Sequence, residues 1–343
     1  KAAKRAAPKA ARRVEPRAGT NRPPPVAGAE PGMPGGEERV LQRRIRSIES
    51  TRKTTRAMEL IAASRIVRAQ TRITQARPYL ERLDQLAADV AAAPGGAEHP
   101  LLQPADPDLP GAVVVIASDR GLCGGYNSLV LRAAEQLVRQ DGRSPGDRKL
   151  RLVAVGRRAV SYLRYRGYPI DHSFIQLTDR PTAADARRVA ATVVEEFGRG
   201  EVGRVQVVST RFRSAGVQRV EVRQLVPLAE GDAEKGRRFD YELEPERAAL
   251  LDRLAPRLVE ARLYLALLEA AASEHAARQR AMKAATDNAD DLITTLRRIM
   301  NRARQDAITT EIMDIVGGAE ALRADRSRAA SEGRFEAGHH DAA

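Results

Sequence analysis

Tryptophan is absent, aromatics make up 3% of the 343 residues, and there is a single cysteine, Cys123. A lone cysteine excludes an internal disulfide framework and any cysteine-built zinc site, and it fits a reducing compartment. No run of 18 uninterrupted apolar residues occurs, which excludes a helical membrane span. The N-terminus lacks the apolar core of a secretory signal, so secretion is not expected. Lysine is scarce too: only seven of the 58 basic residues are lysine, a skew read as codon bias in a GC-rich genome rather than as function. The five histidines are His99, His172, His275, His339 and His340. Apart from the adjacent tail pair, none has a ligating neighbour at helical or turn spacing, so no metal site is expected.

Charge is abundant, and it is unevenly placed. The formal net charge is +13. Residues 1–32 hold +6 of it, residues 37–77 hold +7, and everything from Pro78 to Ala343 sums to zero. A basic segment invites nucleic acid, an anionic lipid surface or an acidic protein partner; the alternative is a solvated helix face in an arginine-rich proteome. Residues 1–36 are rich in Ala, Pro, Arg and Gly and offer little to bury, so they are expected to be a disordered basic extension. The first methionine is Met33, which is expected to be the natural start; a transit peptide is the rival reading of what precedes it.

From Glu37 to about residue 93 the apolar residues Leu41, Ile45, Ile48, Met58, Ile61, Ala62, Ile66, Ala69 and Ile73 recur at helical spacing. About 50 such residues make a rod of ~75–80 Å, which a globular domain rarely needs. Pro78 is expected to kink it. Residues 94–110 read as a Pro- and Gly-rich linker. The period then changes. Val113–Ala117 is a continuous apolar run, as in a parallel strand buried on both faces. Further strands are expected at Leu150–Val155, Val205–Ser209, Val220–Val226 and Phe239–Leu243, with helices at about Ser128–Gln140, before Gly167, and from Pro181 to Phe197. Residues 111–243 therefore read as an α/β domain with a mostly parallel sheet.

From Glu244 the helical period returns and runs to about residue 322, with Gly317-Gly318 as the first hard stop. Residues 323–343 read as a polar tail. Two long helices thus flank one domain, and neither can bury its stripe alone. The domain brings their near ends together, so antiparallel pairing is the economical solution. The C-terminal rod is longer, so its end, with Ile308, Ile312, Met313, Ile315 and Val316, is expected to project as a single helix that needs a partner.

Chemistry finds no home. The strand-to-helix turn Ser118–Asn127 carries Gly121, Gly124 and Gly125, yet it lacks the Lys-Ser/Thr of a phosphate loop and the spacing of a dinucleotide fingerprint. It reads as a tight, glycine-permitted turn. Cys123 reads as a small buried residue, and Asp287, Asp290 and Asp291 as a solvated helix face. No catalytic residue and no cofactor are expected.

Three blocks are more specific. They are Arg43–Ile48 with Thr55–Arg65, Ser118–Asn127, and the set Ser273–Arg278, Met282–Ala289 and Ala303–Ala319. Over residues 37–322 the sequence resembles the gamma subunits of F-type ATP synthases. The resemblance implies a long antiparallel coiled coil of N- and C-terminal helices flanking a Rossmann-like α/β domain. It implies a central rotor shaft, non-catalytic itself, that couples proton flow to ATP synthesis or hydrolysis. The implied partners are the ring of alpha and beta subunits, the epsilon subunit and the c ring. The chain would be peripheral, at the cytoplasmic face of a bacterial plasma membrane, and reach the membrane only through Fo. Residue by residue, the motifs imply beta-subunit coupling at Arg56, Met58, Arg65, Arg304, Gln305 and Thr309. They imply an upper bearing at Ile312, Ile315 and Val316, and a c-ring-facing foot at Arg211, Phe212, Arg213 and Ser214. A nucleic-acid-binding protein would explain the basic arm but not the C-terminal helix, and stacking aromatics are scarce. A nucleotide-dependent enzyme would explain the sheet but lacks the phosphate motif. A plain coiled-coil scaffold shares most features of the shaft.

Overall fold

A computed structural model describes residues 36–92, 99–103, 109–140, 150–228, 244 and 246–337. The extension before residue 36, Met33, the expected strand Phe239–Leu243 and the last six residues of the tail lie outside them. The elements run α1 (Gly36–Ala92), β1 (Gly111–Ile116), α2 (Tyr126–Gln140), β2 (Leu150–Val155), α3 (Arg157–Tyr165), β3 (His172–Phe174), α4 (Ala183–Gly198), β4 (Arg204–Phe212), β5 (Gln218–Val226) and α5 (Arg247–Ala337). The chain divides into two compact units, one of Gln42–Ile299 and one that takes in residues 36–41 and 300–337.

In the first unit five strands lie in the order β3-β2-β1-β4-β5. The first three pairings outward from β1 are parallel, and β5 returns antiparallel beside β4. The wholly apolar β1 sits centrally because a strand covered on both faces has no polar side to offer. Its residues alternate between two cores. Ala112, Val114 and Ile116 face one formed with α4, α5 and the end of α1. Val113 and Val115 face the other, formed with α2 and α3. Thr182 caps α4 in a reciprocal pair with Asp185, each side chain taking a backbone N–H of the other.

The terminal helices pair within this unit. Glu49 meets Arg297 at 2.7 Å, Arg52 meets Asp290 at 2.7 Å, Thr55 meets Thr286 at 2.8 Å and Asp84 meets Arg262 at 2.7 Å. Numbers rise along α1 as they fall along α5, which makes the pairing antiparallel. The two exposed ion pairs, Glu49–Arg297 and Arg52–Asp290, are worth only about 0.2–1 kcal/mol each. The larger stabilisation comes from the seam, where Ile66, Ala69 and Ile73 pack with Leu265, Leu268, Ala272, Ala276 and Phe212. Asp290, expected on a solvated face, is thus a cross-helix ion pair.

Pro78, expected to kink the first helix, lies inside α1, which runs on to Ala92. Two boundaries differ from the sequence reading. α5 runs through Gly317-Gly318 to Ala337. The residues beyond the glycines, such as Glu320-Ala321-Leu322-Arg323-Ala324, are strong helix formers, and each glycine costs only about 1 kcal/mol, so they outweigh the stop. The expected tail is therefore helical as far as Ala337. Part of the expected linker is fixed as well: Leu101 is buried, and its carbonyl accepts the Leu228 N–H at 2.7 Å.

Candidate functional site

The glycine turn after β1 is a joint rather than a phosphate cradle. Ser118 Oγ donates to Asn127 Oδ1 at 2.8 Å, and the same oxygen accepts the Ser118 N–H at 2.9 Å. Asn127 Nδ2 in turn donates to Cys123 Sγ at 3.1 Å. The turn needs left-handed backbone at Gly124, with φ of 56°, and accepts it at Leu122, with φ of 62°. Cys123 is buried, and burial with the nearby Glu274 charge pushes its thiol up, so it stays protonated.

Asp119 ties this turn to the edge of the sheet. It accepts the N–H groups of Arg157 at 2.9 Å, Gln176 at 2.9 Å and Thr178 at 3.1 Å, and the Thr178 hydroxyl at 2.8 Å. Burial pushes its carboxyl up, but these four bonds outweigh that and hold it below the ordinary carboxylate value. Beside it, Gly156 admits no side chain: a Cβ would fall 2.1 Å from the Ala117 carbonyl oxygen.

The long helices lock onto the same joint. Arg278 of α5 bonds the Gly121 carbonyl at 3.2 Å and the Glu274 carboxylate at 2.6 Å. Glu274 is buried, and desolvation pushes its carboxyl up to about 7 despite Arg278. His275 is buried next to it; burial first, then the Arg278 charge, outweigh the pull of Asp179 and lower the imidazole to about 4, so it is neutral at physiological pH. Arg65 of α1 forms an ion pair with Asp179 in the turn before α4. Glu269, almost fully buried on α5, lies 3.2 Å from Arg223 of β5 and 3.8 Å from Arg77 of α1. One carboxylate therefore joins both terminal helices to the sheet.

The residues expected to couple to partners sort into surface and interior. Arg56 is exposed and pairs with Glu59 of its own helix at 2.9 Å. Met58 is half-buried on α1, near the exposed Leu60 and Ile61. Arg65 is half-buried, turned toward Asp179. Arg304, Gln305 and Thr309 are exposed on α5, and the Thr309 hydroxyl donates back to the Gln305 carbonyl at 3.0 Å. Ile312, Ile315 and Val316 are half or more exposed. Arg211 and Arg213 are exposed at the end of β4 and lie 3.4 and 4.0 Å from Glu221. Ser214 opens the turn to β5. Phe212 corrects the expectation: it is buried in the seam, because alternation along β4 turns it away from Arg211 and Arg213. Arg280 of α5 holds this hairpin by the Ala215 carbonyl at 2.7 Å and Gln218 at 2.6 Å.

A family profile described as ATP synthase matches residues 37–322. The chain is 46% identical over 298 residues to the ATP synthase gamma chain of Parafrankia sp., which covers 84% of this chain and 98% of that one. It is 47% identical over 298 residues to the gamma chain of Frankia casuarinae, with the same two shares covered. The chain belongs to the ATP synthase gamma-chain family. The gamma-chain fold is also that of solved assemblies. A chain of the Euglena gracilis mitochondrial ATP synthase (OSCP, F1 and c ring) matches at a TM-score of 0.60 and 18% identity, over 85% of this chain and 96% of that one. A chain of the Tetrahymena thermophila central stalk and c ring matches at a TM-score of 0.52 and 23% identity, over 68% and 99%.

In this gamma chain the motif blocks serve two purposes. Ser118–Asn127 and Ser273–Arg278 supply the buried joint, and Arg56–Met58 and Arg304–Thr309 lie on helix surfaces. Sequence reading missed the joint's partners, Asp119 with Gln176 and Thr178, and Arg65 with Asp179. The last pair is separated by 114 residues, and no local spacing signals it.

Proposed function

We propose that this gamma chain is the central rotor shaft of its ATP synthase and is itself non-catalytic. The observation that carries the proposal is the buried joint. Both terminal helices are fastened by charged and hydrogen-bonded side chains to one α/β domain, so torque applied to the domain would pass to the helix pair. The acidic and thiol groups that chemistry would need are committed elsewhere: Asp119 accepts four hydrogen bonds, Cys123 is buried and protonated, and Glu274 is held by Arg278.

The basic surface of α1 would face acidic levers of the beta subunits, with Arg56 and Met58 at the contact. Arg304, Gln305 and Thr309 would hydrogen-bond to beta, and the exposed apolar Ile312, Ile315 and Val316 would turn in a sleeve formed by the alpha–beta ring. The hairpin with Arg211, Arg213 and Ser214 would meet the c ring, and epsilon would brace the domain. The angle of an asymmetric shaft would bias each beta site through differential contact energy. No described helix is long and apolar enough to cross a membrane. As a member of a family of bacterial gamma chains, the chain would be peripheral, at the cytoplasmic face of the membrane, and reach the bilayer through Fo.

The test is co-purification with the tagged chain, followed by an ATPase assay. Recovery of alpha, beta and epsilon subunits, with ATP hydrolysis by the complex and none by the isolated chain, is the expected result. Hydrolysis by the isolated chain overturns the non-catalytic assignment, and a chain carrying only nucleic acid overturns the whole reading.

A further inference from the structure

A partly enclosed cleft of about 110 Å³ lies where α1 meets the turn before α4 and the flank of α5. This exceeds several-fold the ~10–15 Å³ that one water requires. Its charged lining is Arg65, Arg68 and Arg72 from α1, and Asp179 and Arg180 from the turn. The three α1 arginines are three and four residues apart, so one helix face presents all of them. Asp179 is already neutralised by Arg65. Arg68, Arg72 and Arg180 have no ion-pair partner among the described residues, and all three are exposed. Four guanidinium groups against one carboxylate leave the cleft at about +3 with His275 neutral.

Arg68 and Arg72 stand at a spacing where like charges destabilise a helix by about 0.2–0.5 kcal/mol. Ala69, Leu268, Ala271 and Pro181 form apolar walls, which concentrate the positive field instead of screening it. The cap of α4 withdraws two backbone donors, since Thr182 and Asp185 satisfy one another's N–H groups. The guanidinium groups are therefore the recognition elements, and their planar forks match the oxygen edges of phosphate.

We propose that this cleft is a binding site for a small dianionic oxyanion of the inorganic phosphate class, held by Arg68, Arg72 and Arg180 over the apolar floor. The size of the cleft favours a free tetrahedral ion over a peptide segment. A dianion removes most of the +3 and relieves the repulsion along α1. The site does not depend on the rotor assignment, because its residues lie on one chain.

The full chain is titrated with inorganic phosphate at constant ionic strength, with chloride as the balancing anion, and binding is followed by calorimetry. Saturable phosphate binding is expected, weakened about fivefold or more by Arg68→Ala and by Arg180→Ala. Arg164→Ala, which removes an exposed arginine of α3, should leave it unchanged. Melting of each variant without phosphate confirms that it folds. A response that matches chloride overturns the proposal, as does wild-type affinity in both cleft variants. A glutamate-rich peptide that saturates the cleft where phosphate does not also overturns it, and gives the cleft to the acidic side chain of a protein partner.

Discussion

Glu274 and His275 are neighbours in the chain and respond to pH in opposite directions. Glu274 is raised from its ordinary 4.5 to about 7, so the folded chain holds a proton that the unfolded chain has released. Its contribution to stability therefore falls as pH rises from 4.5 to 7. His275 is lowered from 6.5 to about 4, so the unfolded chain takes a proton that the folded chain refuses. Its contribution falls as pH drops from 6.5 to 4. Each displacement corresponds to about 3 kcal/mol at most, and between 4.5 and 6.5 the two slopes offset each other. Glu274→Gln should expose the histidine and make stability rise with pH over that interval. His275→Asn should expose the glutamate and make it fall. Denaturant unfolding at pH 5 and pH 6.5 reads both, and variants as flat as the parent chain contradict the burial argument. At the surface, Met58→Lys would add a charge where shaft and lever are proposed to press together. The expected outcome is fewer protons pumped per ATP in reconstituted vesicles with hydrolysis retained; an unchanged ratio removes Met58 from the coupling surface.

Along the paired helices, the seam between α1 and α5 sets small residues against large ones. Ala272 is fully buried opposite Ile66, Ala69 and Ile73. Ala272→Leu has no space to occupy and should destabilise by about 1–3 kcal/mol, measurable as a lower denaturant midpoint. The end of α5 gives the opposite sign. Gly317 is helical, and a Cβ there meets nothing within 4 Å. Gly317→Ala should raise helix content on heating and stabilise this stretch by about 1 kcal/mol; a loss of helix would restore the stop that the sequence suggested. The stripes of α1 and α5 and the run Val113–Ala117 were legible because burial repeats at a helical or strand period. The three-residue β3 was not, since His172-Ser173-Phe174 is too short to show one. Phe212 was misplaced because the resemblance located a segment, whereas the alternation of β4 decides which of its residues face outward. The joint was half legible: its motifs stood out as blocks, but the pairing of Asp119 with Thr178 depends on the sheet order bringing β3 beside β2.

Across the whole molecule, the basic residues of α1 divide by task. Arg65 pairs with Asp179 of the domain, and Arg77 lies 3.8 Å from Glu269 on α5. Arg43, Arg44 and Arg46 remain exposed. Reversing all three to glutamate should weaken assembly with alpha and beta subunits far more than it lowers helix content, with each exposed change worth only about 0.5 kcal/mol to the fold. Equal loss of helix by circular dichroism would place them in the fold instead. The proposed role is mechanical, so rotation is the measurement that tests it. The alpha–beta ring is fixed to a surface, and a probe is attached to the domain through Arg213→Cys, Cys123 being buried. The expected result is one-way rotation of the probe that is sustained by ATP and stops when ATP is removed. A probe that stays still, or drifts without direction while the complex hydrolyses ATP, would contradict it.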